Sequence, residues 1–206
     1  MTEFGSVVPA QKSATTLPYA TQLPCLLRGN LRRFIGLGRS FYAIGKISKN
    51  GWRSQFNIDM PNDWQEYIAA KPVGTHCGFT YTGPFFIRCD HGCTHGNAGH
   101  ATFSPCTSES QDFQPNWVFQ QCESQIQQAS FVFVWAGVGE DSLDTAWGSL
   151  VEIGIARALR KPILLAHHPE AELRDFWFAV EAASAVVCAE KALDALQMLQ
   201  IERSRR

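Results

Sequence analysis

Glu152 is the residue of this sequence with the clearest chemical potential, because it is an acid inside an apolar helical segment. The segment, residues 144–159, lies between apolar runs at 131–136 and 162–166. This order indicates strand, helix and strand of a parallel α/β sheet. A buried carboxylate is costly unless it is used or paired. Glu152 is therefore either functional or a structural acid paired with Arg157 or a backbone donor.

The start of this helix bears on the charge of Glu152. Asp144 or Thr145 is expected to cap the helix. Residues 147–159 are apolar nearly all round, so we expect the helix to be buried against the sheet. Because Glu152 falls in the first turns, we expect the helix dipole to lower its pKa and keep it ionised.

A glycine turn between a strand and a helical stretch is the second candidate for chemistry. An apolar strand ends at Gly45-Lys46, and a helical stretch opens at Trp52-Arg53. In a parallel α/β sheet such a turn places backbone amides where an anion binds, although a plain connection is the alternative. We take Gly45, Lys46, Trp52 and Arg53 as candidate substrate-binding residues.

Residues 89–100 are rich in cysteine, histidine and glycine. Cysteine and histidine are the usual zinc ligands, but the spacing here matches no standard zinc finger or ribbon. We therefore predict no bound metal, and we predict no cofactor elsewhere in the chain. We expect a glycine-rich loop whose Asp90 and His91 face a polar pocket or pack structurally.

The composition limits the classes of binding partner and the cellular location that we expect. The net charge of -1 over 206 residues gives no electrostatic case for nucleic-acid or membrane partners. The longest apolar run, 131–138, is far too short to span a bilayer. No signal peptide is visible at the N-terminus, so the seven cysteines indicate a reduced, cytoplasmic setting.

The order of elements predicts an α/β fold with a five-stranded parallel sheet and helices on both faces. We interpret residues 1–38 as an irregular N-terminal arm and residues 39–206 as the folded domain. The strand candidates lie at 40–45, 78–87, 131–136, 163–166 and 185–188.

Two motifs resemble those of the nucleoside 2-deoxyribosyltransferase family, over roughly residues 39–190. The more specific motif reads Gly148-Ser149-Leu150-Val151-Glu152-Ile153-Gly154-Ile155-Ala156, followed by Arg160-Lys161-Pro162-Ile163. The family pattern is Gly, Thr or Ser, two residues, Glu, an apolar residue, Gly, any residue and Ala, then Gly-Lys-Pro. The second motif, Tyr42-Ala43-Ile44-Gly45-Lys46-Ile47, is similar to the family's opening strand, with Ile44 where alanine is usual.

The resemblance implies a flavodoxin-like fold and a small-molecule nucleoside or nucleotide as partner. It also implies that Glu152 is the nucleophile on the anomeric carbon and that Tyr42 contacts this carboxylate. The Gly45-Lys46 and Gly148-Ser149 turns would lie near the sugar and any 5′-phosphate. Members of the family are dimers or larger homo-oligomers, so the same is expected here.

The chain departs from the family at the acid that serves the base. Cys122 and Ser130 stand where the family usually has two aspartates. The departing base still needs a proton from some acid. Asp144, Asp141 and Asp90 are the candidate substitutes, and we select Asp144 as the third catalytic residue beside Glu152 and Tyr42.

The functional hypothesis is cleavage or transfer of the N-glycosidic bond of a (deoxy)nucleoside or its 5′-monophosphate, through a glutamate nucleophile. Anion-binding turns at Lys46 and Ser149 favour the 5′-monophosphate over the free nucleoside. Two alternatives stay open. One is a nucleotide-binding sensor or partner-binding module in which Glu152 is only a ligand contact. The other is hydrolysis of the nicotinamide bond of NAD.

Overall fold

A computed structural model of the chain describes residues 28–47, 51–58, 71–73, 78–88, 94–96 and 115–205. The strands within these residues are β1 Arg28–Gly29, β2 Ser40–Ile44, β3 Lys71–Pro72, β4 Thr80–Gly83, β5 Phe86–Arg88, β6 Thr94–Gly96, β7 Phe131–Ala136, β8 Ile163–His167 and β9 Ala185–Cys188. The α-helices are α1 Pro115–Gln128, α2 Trp147–Ala158, α3 Trp177–Ala182 and α4 Ala192–Ser204. Short 3₁₀ helices include Leu31–Phe34, Trp52–Phe56, Gly139–Asp141 and Leu143–Thr145.

The main sheet has the strand order β1-β9-β8-β7-β2-β4-β3. Its five inner strands, from β9 to β4, are all parallel. The two short edge strands are antiparallel to their neighbours, and β5 pairs with β6 separately. The order of the inner strands reverses direction next to β2, as in flavodoxin-like folds. The five-stranded parallel sheet predicted from the sequence is confirmed, with β7 at its centre.

Alternation along the strands assigns each side chain to one of two cores. In β2, Phe41 and Ala43 point to one face of the sheet, whereas Tyr42 and Ile44 point to the other. In β7, Phe131 and every second residue after it point to the first face, whereas Val132 and every second residue after it point to the other face. Register between the two strands is continuous from Phe41 to Ile44, so the same alternation extends across the sheet.

The two faces have different partners. The first face is strongly aromatic and is covered by α4 and the 3₁₀ segments Leu31–Phe34 and Trp52–Phe56. Its rings pack mostly edge to face, which is the favoured arrangement for aromatic pairs. The second face is mainly aliphatic and is covered by α1, α2 and α3. Helices therefore lie on both faces, as predicted, and Tyr42 faces the layer that carries Glu152.

Helix α2 differs from the sequence prediction in two respects. It begins at Trp147 after Ala146, and Asp144 and Thr145 belong to the preceding 3₁₀ turn, so neither caps the helix. It also buries only one face, since Trp147 is 73% exposed and Val151 is 54% exposed. Helix α2 therefore has apolar side chains that the sheet does not cover.

Two of the seven cysteines lie among the described residues. Cys122 is a free, buried thiol, and Cys188 at the end of β9 is disulfide-bonded. The disulfide at Cys188 differs from the expectation of reduced thiols. The cytoplasmic location stays a prediction. No helix in the described ranges is both long and apolar enough for a membrane span.

The end of α2 is closed by a Schellman motif. The Lys161 amide donates to the Ala156 carbonyl at 2.9 Å, and the Arg160 amide donates to Arg157 at 3.0 Å. This motif requires a left-handed residue after the helix, and Arg160 has φ of 55°. Glycine stands here in the family pattern. The Lys161 side chain then donates to the Gln127 and Ala129 carbonyls and so caps the end of α1.

We predict that Arg160→Gly increases the free energy of unfolding by about 0.5–1 kcal/mol. A side chain in the left-handed region costs about 1–2 kcal/mol, and the greater freedom of glycine in the unfolded chain offsets part of the gain. Urea unfolding followed by circular dichroism measures the change. The matched control is Arg160→Ala, which removes the guanidinium but keeps Cβ and should not stabilise. Equal stabilisation by both variants would contradict the argument.

Candidate active site

Glu152 projects from the buried face of α2 toward β2. Its side chain is almost fully enclosed, with 9% of the residue exposed. The hydroxyl of Tyr42, itself completely buried, donates a hydrogen bond of 2.5 Å to Glu152 Oε1. Neither a pairing with Arg157 nor a backbone donor is seen among the hydrogen bonds and ion pairs of the described residues. The contact expected between Tyr42 and Glu152 is therefore present.

Cys122 on α1 completes this buried cluster. Its buried thiol lies close enough to the Tyr42 hydroxyl and the Glu152 carboxylate to influence the pKa of each. Burial, followed by the charge of Glu152, raises the pKa of Cys122 to about 12. Burial likewise raises the pKa of Tyr42 well above its usual value. Both groups are thus neutral at physiological pH.

The electrostatics of Glu152 correct one expectation from the sequence. Burial raises the pKa of Glu152, and the Tyr42 hydrogen bond, the Arg53 charge and the Cys122 thiol offset only part of that rise. The helix dipole was expected to lower this pKa. Glu152 lies beyond the first turn of α2, however, where the dipole has largely faded, and loss of solvation outweighs it.

Arg53 is held by the carboxyl end of β2 and does not reach into open space. Its guanidinium donates to the carbonyls of Ala43, Gly45 and Lys46 at 2.7–3.1 Å. It also lies over the Trp52 ring, 4.4 Å from the ring centroid. Three carbonyls and an aromatic ring fix the cation close enough to favour the ionised form of Glu152.

Trp52 is a core residue with 1% exposure. Its indole Nε1 donates to the Lys46 carbonyl at 3.2 Å. Gly45 is required beside it, because a Cβ at this position would lie 2.9 Å from both the Trp52 ring and the Trp135 carbonyl. Gly45, Trp52 and Arg53 therefore shape the turn after β2, and the Trp52 and Arg53 side chains both bond to its backbone. Lys46 is half-buried beside them.

The loop after β7 is tied to this turn by Asp141. Its carboxylate Oδ1 accepts a hydrogen bond of 3.2 Å from the backbone amide of Trp52. Gly137, at the start of the loop, has no room for a side chain, because a Cβ would lie 2.6 Å from the Asp141 Cβ. Burial raises the pKa of Asp141, against the lowering effects of this amide and of Arg53. The two loops thus form one edge of the candidate site.

The other predicted residues on this edge differ in their exposure to solvent. Asp144 is exposed, and its amide donates to the Ser142 hydroxyl at 3.2 Å. Gly148 is also exposed, and a Cβ there would meet no atom within 4 Å. Ser149 is buried, and its amide already donates to the Ala146 carbonyl at 2.9 Å. That amide is therefore engaged within the protein, unlike the free amide expected for phosphate binding.

Asp90 and His91 lie outside the described residues, as does most of the segment 89–100. In the parts of the chain that the structure describes, no three cysteine, histidine or acidic side chains cluster as metal ligands would. The absence of a metal in that segment stays a prediction.

Sequence reasoning identified the Tyr42–Glu152 pair but gave Cys122 no role beyond replacing an acid. The missed signal is its position: Cys122 lies one turn before Ile126 on α1, and both side chains face the aliphatic core that contains Tyr42. Tyr81 on β4 was also missed. It is fully buried, its hydroxyl donates to the Pro84 carbonyl at 2.5 Å, and the charge of the nearby Arg53 partly offsets the effect of burial on its pKa.

We predict that Glu152→Gln raises the free energy of unfolding near pH 7 by about 0.5–2 kcal/mol, as removal of a functional charge often does. The folded-state pKa of Glu152 is raised, so the ionised carboxylate opposes folding, and this cost develops as the pH rises from about 4.3, the ordinary glutamate value. Urea titrations between pH 3.5 and 7.5 measure both proteins. The advantage of the variant should disappear at the lowest pH. A constant difference across the range would refute the assignment of the shift to Glu152.

No protein-family model and no curated protein matches this chain. Four solved chains do, among them the CMP N-glycosidase BcmB of Clostridium botulinum. That similarity has 21% sequence identity and a TM-score of 0.34, and it covers 43% of this chain and 70% of the other.

Proposed function

We propose that this chain is an enzyme that cleaves or transfers the N-glycosidic bond of a (deoxy)nucleoside or its 5′-monophosphate, with Glu152 as the nucleophile. The observation that carries the proposal is a buried carboxylate oriented by the Tyr42 hydroxyl at 2.5 Å. Such a group costs stability, which is typical of a functional site and not of a structural one. The resemblance of the motifs around both residues supports the same chemistry.

In the proposed reaction, the free carboxylate oxygen of Glu152 attacks C1′ while the bond between C1′ and the base nitrogen breaks. The electron pair of that bond goes to the base, which takes up one proton. The glycosyl ester on Glu152 is then attacked at C1′ by water or by a second base, and the carboxylate is restored. Hydrolysis consumes one water molecule, whereas transfer exchanges one base for another.

Tyr42 orients the nucleophile throughout this sequence. Because its pKa is raised by burial, its hydroxyl keeps its proton and continues to donate to Glu152. The nearby Arg53 charge favours the carboxylate over the carboxylic acid. These contacts favour the ionised state of Glu152 that nucleophilic attack requires.

The acid that protonates the base is a separate question. Asp144 was selected from the sequence, but it is exposed on the 3₁₀ turn before α2. Asp141 is half-buried beside the turn after β2, and its pKa is raised, which suits an acid working nearer neutral pH. We propose Asp141 as the stronger of these two candidates, and loss of turnover in Asp141→Asn but not in Asp144→Asn tests this choice.

A 5′-phosphate would be bound at the same edge. Lys46 is the cation of the turn after β2, and its carbonyl is already engaged by Arg53 and Trp52, which fixes its backbone. Ser149 contributes its hydroxyl only, because its amide is engaged. Turnover of a panel of nucleosides, 5′-monophosphates and NAD identifies the substrate, and NAD hydrolysis is a direct outcome of the same panel.

The helix layer over the second face supports the expectation of a homodimer or larger homo-oligomer. Its exposed large apolar side chains include Phe119, Trp147, Val151, Trp177 and Phe178. Apolar patches of this kind mark interaction surfaces. We propose that a second copy of the chain covers them. Sedimentation velocity should give a dimer or larger that Trp147→Glu dissociates; a monomeric wild-type protein would refute this.

The central prediction concerns turnover by Glu152→Gln. The amide keeps the shape of the side chain and accepts the Tyr42 hydrogen bond, but it cannot attack C1′. We expect turnover of the best substrate to fall by about 10⁴ or more, as is usual for loss of a nucleophile. Tyr42→Phe should cost less, because it removes orientation only. Base release by chromatography, and intact mass spectrometry for a glycosyl adduct on Glu152, provide the measurements.

The matched control is Glu140→Gln, which makes the same change at an exposed acid in the loop after β7 and should leave turnover intact. Release of base by Glu152→Gln at the wild-type rate would exclude the nucleophile. Retained nucleotide binding without turnover in the wild-type protein would favour the sensor or binding module instead.

A further inference from the structure

Two arginines lie together at the amino end of β2, on the opposite edge of the sheet from the candidate active site. Arg39 directly precedes the strand, whereas the turn after the strand begins at Gly45. At about 3.3 Å per residue, these two ends of β2 are roughly 20 Å apart. Arg203, near the end of α4, reaches the same end, because its guanidinium donates to the Leu37 carbonyl at 2.8 Å and to the Gly38 carbonyl at 3.3 Å.

Both arginines contact the segment Gly78-Phe79. Arg39 Nη1 lies 3.4 Å from the Gly78 carbonyl oxygen, and a Cβ on Gly78 would lie 2.9 Å from the same nitrogen. The Arg203 guanidinium lies over the Phe79 ring, 5.7 Å from the ring centroid. Burial, followed by the charge of Arg39, lowers the pKa of Arg203, in agreement with this proximity. Two guanidiniums therefore face one small region of the surface.

Neither guanidinium forms an ion pair with an acid in the part of the chain that the structure describes. The acid on this side of α4 is Glu202, which lies 4.0 Å from Arg32 and 3.4 Å from Arg205. The side chain that joins the pair at Gly78 is the neutral amide Gln200, whose Oε1 is buried without a hydrogen-bond partner. Two like charges held close together without a counter-ion oppose each other, and an anion from solvent would remove this repulsion.

We propose that Arg39 and Arg203 form a second ligand site, which binds the phosphate group of a small molecule. A guanidinium has five N–H donors. Arg203 uses two of them on backbone carbonyls, and Arg39 uses one. The remaining donors have no protein partner within the described ranges. Arg39 is exposed and Arg203 is half-buried, so an anion can reach both from solvent.

A phosphate group fits these donors better than a carboxylate does. A phosphate monoester carries about 1.5–2 negative charges at neutral pH and has three strong acceptor oxygens, which match two positive charges and two donor forks. Guanidinium forks bind phosphate through two parallel hydrogen bonds. An extended nucleic acid fits less well, because the chain has a net charge of -1 and Glu202 interrupts the positive surface.

A purely structural role is the competing explanation. Arg203 caps two carbonyls of the segment before β2 and packs on Phe79, and an arginine can stabilise a fold through such packing. This explanation predicts that Arg203→Gln lowers stability and that neither guanidinium responds to phosphate. A phosphate site predicts a response at both arginines.

The experiment is a nitrogen-15 NMR titration of the arginine Nε–Hε groups with sodium phosphate at constant ionic strength. The signals of Arg39 and Arg203 are assigned by their loss in Arg39→Gln and Arg203→Gln. We expect both signals to shift together and to saturate with phosphate but not with acetate. In Arg39→Gln, the affinity measured at the Arg203 signal should fall about tenfold, as expected for loss of one charge-assisted hydrogen bond. Arg39→Lys should lose less, because it keeps the charge and loses only the fork.

The matched control is Arg174→Gln, which removes an exposed arginine that pairs with Asp175 and should leave the phosphate response in place. A second control, Lys46→Gln, removes the cation proposed for a 5′-phosphate at the candidate active site and should also leave the response in place. Urea unfolding of each variant verifies that it is folded.

Equal shifts with phosphate and with acetate would overturn the proposal, as would loss of the response in Lys46→Gln. Tighter binding of a short single-stranded DNA than of phosphate or pyrophosphate would also overturn it and would assign this surface to nucleic acid. Because the titration needs no substrate, its result does not depend on whether the chain releases a base.

Discussion

The hydrogen bond between Tyr42 and Glu152 is the interaction on which the rest of this site depends. A carboxylate enclosed between a helix and a sheet loses most of its hydration, and this loss raises the pKa of Glu152. The Tyr42 hydroxyl, the Arg53 charge and the Cys122 thiol each lower that pKa and so offset part of the effect of burial. They come from β2, the segment after it and α1, so the ionised group depends on tertiary structure and not on its own helix.

The scaffold makes this arrangement rigid. β2 lies between β4 and β7 in the parallel sheet, and its alternation sends Phe41 into an aromatic core and Tyr42 into the site. Moving Tyr42 would therefore disturb packing on both faces at once. The carbonyl contacts of Arg53 and the bond from Trp52 to Asp141 fix the loops at the carboxyl edge of the same strands. Ligands of open parallel sheets bind at this edge.

The parallel sheet and the position of Glu152 could be predicted from the sequence, because the strands are short apolar runs and Glu152 is an isolated acid in an apolar helix. The pairing of Tyr42 with Glu152 followed from motif resemblance, and the sheet order agreed. The direction of the pKa shift of Glu152 could not be predicted from the motifs, because it depends on how completely α1 and β2 exclude water from the carboxylate. The role of Arg53 could not be assigned either, since nothing in its local sequence reveals that carbonyls of β2 and of the turn after it accept hydrogen bonds from its guanidinium.

The enclosure of Cys122 has a consequence for how the protein responds to oxidants. The thiolate is the form of cysteine that reacts with peroxides and disulfides, and susceptibility also follows exposure. With its pKa raised to about 12 and 6% of the residue exposed, Cys122 has almost no thiolate and little access to solvent. The Cys122 thiol thus differs from Cys188, which is disulfide-bonded. We therefore expect oxidants that react with exposed thiolates to leave Cys122 unmodified.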